Sequence, residues 1–110
     1  MELNEYQKLA SRTINKELNR NDNKYHALHG LVSEVGEIHG IYQKVYQGHD
    51  FEFNHLIKEI GDLMWFVAEL CTSLGVSLED ICELNIDKLK KRYPDGFEVD
   101  KSLHRVKGDI

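Results

Sequence analysis

The sequence predicts an all-α protein, a compact bundle of four main helices, and three observations support this fold class. No segment shows the two-residue alternation of apolar and polar residues that marks a half-buried β-strand. Apolar residues instead recur at spacings of three and four in four stretches, which Gly, Pro, Asn and Asp residues separate. The chain has 110 residues, enough for one small core. Because such a core is modest, we expect oligomerisation to complete the bundle.

The first two helices are predicted over residues 4–19 and 24–47. Asn4, with Gln7 three residues later, resembles a capping arrangement at the start of the first helix, and the polar run 19–23 ends that helix. The second helix carries one continuous apolar stripe, at Leu28, Leu31, Val32, Val35, Ile38, Tyr42 and Val45. The stripe predicts that one face of this long helix is buried.

The third and fourth helices are predicted over residues 51–74 and 78–93. Asp50 is placed to cap the third helix and Gly75 to stop it, while Pro94 ends the fourth from outside. The third helix has an apolar seam at steps of four and three, formed by Leu56, Ile60, Leu63, Val67, Leu70 and Leu74. We expect this seam to form the contact with neighbouring helices.

Composition limits the classes of protein that the chain can represent. Acidic residues outnumber basic ones, 19 to 14, for a net charge of -5, which argues against a protein that coats nucleic-acid polymers. No apolar run approaches the roughly 18 residues that cross a bilayer, and the first residues are polar rather than signal-like. We therefore expect a cytoplasmic protein without membrane association, with one helical domain over residues 1–97 and a polar C-terminal tail over 98–110.

Two carboxylate pairs stand on the two most apolar helices. Glu34 and Glu37 are three residues apart on the second helix, and Glu59 and Asp62 are three apart on the third. A short connection makes the two helices antiparallel neighbours, so all four carboxylates could meet at the margin of their contact. Such a cluster repels itself unless a cation neutralises it. Oxygen ligands favour Mg²⁺, with Mn²⁺ as a substitute, whereas the plainer alternative is two solvated acidic faces.

Other polar and aromatic residues border these features. Asn85, Lys88 and Arg92 form a polar stripe on the fourth helix that could face phosphates, or could be a buried amide followed by a solvated basic helix end. Trp65 lies nearly opposite the apolar seam of the third helix. The simplest interpretation is that a second subunit buries this side chain, and the alternative is that the indole stacks on a nucleotide base. Glu69, one heptad beyond Asp62, is expected to be a solvated surface residue rather than a support for the cluster.

Three segments in order resemble the MazG-like nucleotide pyrophosphohydrolases. Ser33-Glu34-Val35-Gly36-Glu37 is followed after 21 residues by Glu59-Ile60-Gly61-Asp62-Leu63-Met64-Trp65, which is similar to the split ExxE...ExxD signature of that family. The later stretch from Asn85 to Pro94 is similar to its Asn-x-x-Lys-Leu-x-x-Arg-Tyr-Pro segment. The resemblance covers residues from about 5 to 97. One departure is Ser33, where members often have the first of two adjacent glutamates.

The resemblance implies an all-α homodimer or homotetramer that binds a nucleoside triphosphate through Mg²⁺ and releases a nucleoside monophosphate and pyrophosphate. Carried over by position, Glu34, Glu37, Glu59 and Asp62 are the metal ligands and catalytic carboxylates. Asn85, Lys88 and Arg92, with Trp65, contact the substrate. A helical oligomerisation or nucleotide-binding regulatory module without turnover is the main alternative. A metal-storage or redox bundle is disfavoured because none of these carboxylates begins a Glu-x-x-His motif.

Overall fold

The computed structural model describes residues 1–110 and contains five α-helices and no β-strand, so the all-α prediction is confirmed. The helices are α1 (Leu3–Ser11), α2 (Arg20–Tyr46), α3 (Phe53–Leu74), α4 (Leu78–Arg92) and α5 (Val99–Leu103). Four of them match the four predicted stretches, and α5 is a short helix in the tail that the sequence did not predict. None of the helices taken singly combines the length and the apolar composition needed to cross a bilayer.

The first predicted helix is too long, because α1 ends at Ser11 rather than at residue 19. The Thr13 hydroxyl donates to the Ala10 carbonyl oxygen at 3.0 Å, and such local bonds compete with helix continuation. Asn19, taken above as part of the helix end, instead begins α2: its Oδ1 accepts the Asp22 backbone N–H at 2.7 Å. The polar run is therefore an N-cap, which stabilises the first turn of α2.

The predicted caps at the starts of α1 and α3 are also wrong, whereas the stop at Gly75 is confirmed. The N-cap residues are Glu2 and Glu52, neither of which makes a side-chain cap bond. Gln7 instead reaches across to the end of α3, where its Nε2 donates to the Val76 carbonyl oxygen at 2.9 Å. Gly75 has φ of 72°, the left-handed conformation that glycine adopts at helix ends.

The chain divides into two compact units, Met1–Leu78 and Glu79–Ile110. In the first, α2 and α3 form an antiparallel hairpin and α1 packs on α3. The hairpin brings small side chains into close contact, and the buried apolar residues of this unit are Ala10, Ala27, Ile41, Ala68, Cys71 and Leu78. This small core allows the helices to approach closely.

The apolar seam of α3 is only partly covered within the chain. Ile60 and Leu74 are exposed and the other four seam residues are half-buried, whereas the buried positions of α3 include Glu59 and Glu69. Periodicity correctly indicated two faces on this helix, but the face toward α2 is the one that carries the carboxylates. That difference brings acidic side chains into the interior of the first unit.

In the second unit, the residues after α4 turn back along it. Tyr93 and Phe97 bracket the Pro94–Gly96 turn, with ring centroids 5.3 Å apart. Near the end of the tail, Asp109 accepts two hydrogen bonds from the Arg92 guanidinium, at 2.7 and 2.8 Å. The tail is thus anchored to α4 by one bidentate ion pair.

Candidate metal centre

The α2–α3 hairpin brings three of the four predicted carboxylates together. Oxygen atoms of Glu34, Glu59 and Asp62 all lie within 4.8 Å of one another. Glu34 lies on α2 facing α3, and the other two residues are one helical turn apart on α3. Glu37, one turn after Glu34, is exposed and lies at the edge of this group. We name the three converging residues the acidic cluster.

The burial of the acidic cluster fits a cation. Glu59 is 7% exposed and Glu34 is half-buried. One oxygen of each, Oε2, is shut off from solvent without a hydrogen-bond partner in the protein. A buried carboxylate oxygen normally has a donor or a metal, because leaving it unpaired costs free energy. The carboxylates of Glu34, Glu59 and Asp62 together are the donor set expected for a hard divalent ion.

Without a cation, the carboxylates compete for protons. A hydrogen bond to Glu59, removal from water and the charge of neighbouring acids raise the pKa of Glu34 to about 7. The pKa of Glu37 is also raised, first by a hydrogen bond to Glu59. The pKa of Glu59 is lowered, because its carboxylate accepts these hydrogen bonds and faces His55. Glu59 is therefore the member of this group whose charged form is favoured, whereas the charged forms of Glu34 and Glu37 are disfavoured.

His55 is a member of this site that the sequence analysis missed. It lies one turn before Glu59 on α3, and its Nε2 is 2.9 Å from Glu59 Oε1, while its Nδ1 is 3.2 Å from Glu52 Oε2. Hydrogen bonds to Glu52 and Glu59 raise the pKa of the His55 imidazole. The i, i+4 spacing of His55 and Glu59 was the available signal, since it follows from helix geometry alone. An imidazole here orients the Glu59 carboxylate from outside the cluster.

Comparison with known proteins identifies the family. A family model described as the MazG nucleotide pyrophosphohydrolase domain matches residues 22–97. The chain belongs to this MazG family. The Gene 37 protein of Mycobacterium phage L5 is similar, at 36% identity over 72 residues, which cover 61% of this chain and 63% of that protein. The chain thus spans less than two thirds of that relative's length. No solved structure matches the chain.

MazG membership gives the acidic cluster a chemical context. The family is one of nucleotide pyrophosphohydrolases. Its members generally depend on a divalent metal, and this chain places Glu34, Glu59 and Asp62 where such an ion could bind. Tyr6 on α1 lies near enough for burial and the charge of Asp62 to raise the pKa of its hydroxyl. The acidic cluster therefore lies between α2 and α3, with α1 nearby and Asp62 on the exposed side.

Trp65 is covered in part by the chain itself. Its indole Nε1 donates to the Ala10 carbonyl oxygen at 3.2 Å and to the Thr13 hydroxyl at 2.8 Å. Its ring also meets the Phe66 ring edge-on, with centroids 5.1 Å apart. The expectation that a second subunit supplies the cover of Trp65 overlooked α1. The short first helix ends where it can hold the indole N–H.

Glu69 is buried, so its expected place on a solvated surface is wrong. The residue is 1% exposed, and both of its carboxylate oxygens lie near His26 Nδ1, at 2.8 and 3.0 Å. His26 comes from α2, so the pair joins the two helices of the hairpin. Residue periodicity placed Glu69 outside the apolar seam, but that side of α3 is the one that faces α2.

The polar residues of the MazG domain's fourth helix lie in the second unit. Asn85 is exposed, so it is not the buried amide that its angular position suggested. Lys88 and Arg92 line a cavity of about 500 Å³ together with Lys91, Lys107 and other residues of this unit. Arg92 is held there by Asp109, whose pKa is lowered chiefly by the hydrogen bonds from this guanidinium. The cavity that Lys88 and Arg92 line thus also contains the carboxylates of Asp87 and Asp109.

Proposed function

We propose that this MazG protein hydrolyses nucleoside triphosphates between the α and β phosphorus atoms, releasing a nucleoside monophosphate and pyrophosphate. The cellular role proposed for this activity is housekeeping of the nucleotide pool, on ribonucleotides or deoxyribonucleotides. The observation that supports the proposal is the convergence of Glu34, Glu59 and Asp62 with two enclosed, unpaired carboxylate oxygens. A set of acids that a cation must neutralise suits a substrate that arrives as a metal complex.

Mg²⁺ is the proposed ion, with Mn²⁺ as a substitute, because all the donors are carboxylate oxygens. Glu34, Glu59 and Asp62 would hold it, and the bound ion would neutralise charge on the phosphates and on the leaving pyrophosphate. Glu37 is exposed at the edge of the cluster, where it can accept the proton of a water molecule. The water oxygen attacks the α phosphorus, and the bond to the bridging oxygen of pyrophosphate breaks.

Lys88 and Arg92 are proposed to hold the phosphates, with Asn85 contacting phosphate or sugar. Cationic side chains compensate the charge that a metal leaves on a triphosphate. Arg92 currently pairs with Asp109, so binding of a phosphate there would exchange one anion for another. Trp65 retains its proposed place beside the nucleoside, although its indole N–H is engaged with α1.

An assay of product identity tests the proposal. The protein is incubated with Mg²⁺ and a panel of nucleoside triphosphates, and pyrophosphate is quantified against orthophosphate. We expect pyrophosphate, its loss with EDTA, and its loss in Glu59→Ala but not in Glu83→Gln, which changes an exposed acid on α4. Orthophosphate as the product would refute the bond assignment. Metal-dependent nucleotide binding without turnover would favour the regulatory module instead.

We also propose that the protein works as a homodimer or homotetramer. The outer faces of the hairpin expose large apolar side chains: Leu28, Val32, Val35 and Tyr42 on α2, and Ile57, Ile60 and Met64 on α3. The side chain of Val32, for example, is 75% exposed. Apolar stripes of this extent on neighbouring helices are typical of subunit contacts. Analytical ultracentrifugation of the purified protein tests this, and a monomer at micromolar concentration would refute it.

A further inference from the structure

Two rows of side chains face each other where α2 packs against α3. Contacts join the rows in three layers, which are Glu34 with Asp62, Gly30 with Phe66, and His26 with Glu69. On α2 the three residues are four apart, so they follow one face of the helix. The acidic cluster lies at one end of these three layers. The other end carries a second group of ionisable side chains that the proposed hydrolysis does not use.

The second group is an ordered carboxylate–imidazole pair. Glu69 is buried and accepts from His26 Nδ1, so Nδ1 carries the hydrogen and Nε2 is the ring nitrogen left for a ligand. The imidazole lies beside Trp65 and Phe66, with ring centroids 6.5 and 5.7 Å away. The His26 side chain is nevertheless 50% exposed. Its ring is thus fixed in orientation but accessible, as in sites where a buried acid positions a functional histidine.

The position of this pair matches the far end of a nucleotide. His26 precedes Glu34 by eight residues, which is about 12 Å along the axis of α2. The sugar and base of a nucleotide whose phosphates lie at the acidic cluster can bridge that separation. Gly30 lies midway and is buried beneath the Phe66 ring, which is itself only half-buried. A ligand that spans the two ends would therefore meet the Phe66 ring rather than a charged group.

We infer that His26 is the base-contacting residue of this protein and that Glu69 is its positioning residue. The inference rests on the proposed function, since it takes a nucleotide as the ligand. Nε2 of a fixed imidazole distinguishes an exocyclic amino group from a carbonyl oxygen at the same place on a base. The pair therefore determines the preference between cytosine and uracil, or between adenine and hypoxanthine.

The test uses substrate pairs that differ only in that group. Values of kcat/KM are measured for dCTP with dUTP and for dATP with dITP, in the wild type and in His26→Asn, whose amide can still donate to Glu69. We expect the wild type to discriminate within at least one pair, and His26→Asn to reduce that ratio by about fivefold to tenfold, the value of one hydrogen bond. The effect should lie in KM rather than in kcat. His29→Asn, on the next turn of α2, is the matched control.

A measurement without turnover separates this inference from the proposed function. The ¹⁵N resonances of the His26 imidazole are followed while a nucleoside monophosphate and Mg²⁺ are added. A change at Nε2 in a protein that hydrolyses nothing would support the base contact and refute the hydrolysis. Hydrolysis with equal base discrimination in His26→Asn and His29→Asn, or a wild type without discrimination in either pair, would overturn the base contact. Circular dichroism checks that each variant is folded.

Discussion

Substitution of Gly30 by alanine should push apart the two helices that carry the acidic cluster. A Cβ atom built on Gly30 lies 2.2 Å from two carbons of the Phe66 ring, whereas ordinary contacts begin near 3.4 Å. The ring or the helices must therefore retreat by about 1.2 Å, the difference between these two distances. Overpacking of this kind costs about 1–3 kcal/mol. Alanine is favoured over glycine inside a helix by about 1 kcal/mol, which offsets part of that cost.

Gly40→Ala supplies the matched control, because it makes the same change in the same helix with no atom within 4 Å of the new Cβ. Gly40→Ala should raise the free energy of unfolding by up to about 1 kcal/mol. Gly30→Ala should then be less stable than Gly40→Ala by about 1–3 kcal/mol, or roughly 4–8 °C in Tm per kcal/mol. Urea and thermal denaturation in EDTA measure the difference. Equal stability of the two variants would refute the close approach of Gly30 and Phe66, whereas recovery of Gly30→Ala by Phe66→Leu would support it.

Three further outcomes follow from the charged contacts. The pKa of Glu34 is raised from 4.5 to about 7 in the folded protein, so without metal the folded chain holds a proton that the unfolded chain releases. The stability of the metal-free protein should therefore fall as the pH rises from 4.5 to about 7. Glu34→Gln should remove this slope in thermal melts with EDTA. His55→Ala should weaken Mg²⁺ binding by about tenfold in calorimetry, because Glu59 loses the imidazole that orients it. Asp109→Asn should lower Tm near neutral pH and not near pH 2, because the lowered pKa of Asp109 gives stability that acid removes; an unchanged Tm near neutral pH would contradict the bidentate pair with Arg92.

Local signals determined how well the sequence predicted the fold. Apolar periodicity identified all four main helices, and the left-handed conformation at Gly75 is the kind of stop that composition reveals. The end of α1 was missed, because the Thr13 side-chain bond and the cap at Asn19 depend on how the chain turns between two helices. Short polar residues fit either a helix end or a helix start, and the hydrogen bonds that distinguish the two appear only in the folded chain.

The acidic cluster was predictable to the extent that it depends on helix spacing. Glu34, Glu59 and Asp62 were found because three-residue and four-residue steps fix which side chains share a face. The burial of Glu69 was not predictable in this way, because a charged residue at a helix contact requires a partner from another element. That partner is His26, 43 residues earlier in the chain. No local pattern connects the two residues.

The two faces of α3 show what apolar periodicity leaves undetermined. A repeat of apolar residues indicates that a face avoids water, but it does not say which element covers that face. Here the face toward α2 carries Glu59 and Glu69, each of which costs free energy when buried unless a cation or an imidazole compensates it. Ile57 and Ile60, by contrast, are exposed within one chain. The α2–α3 contact is thus the arrangement that needs ligands, and these exposed apolar side chains suit a second subunit. Metal binding should therefore stabilise the hairpin, while chain association should depend on Ile57 and Ile60.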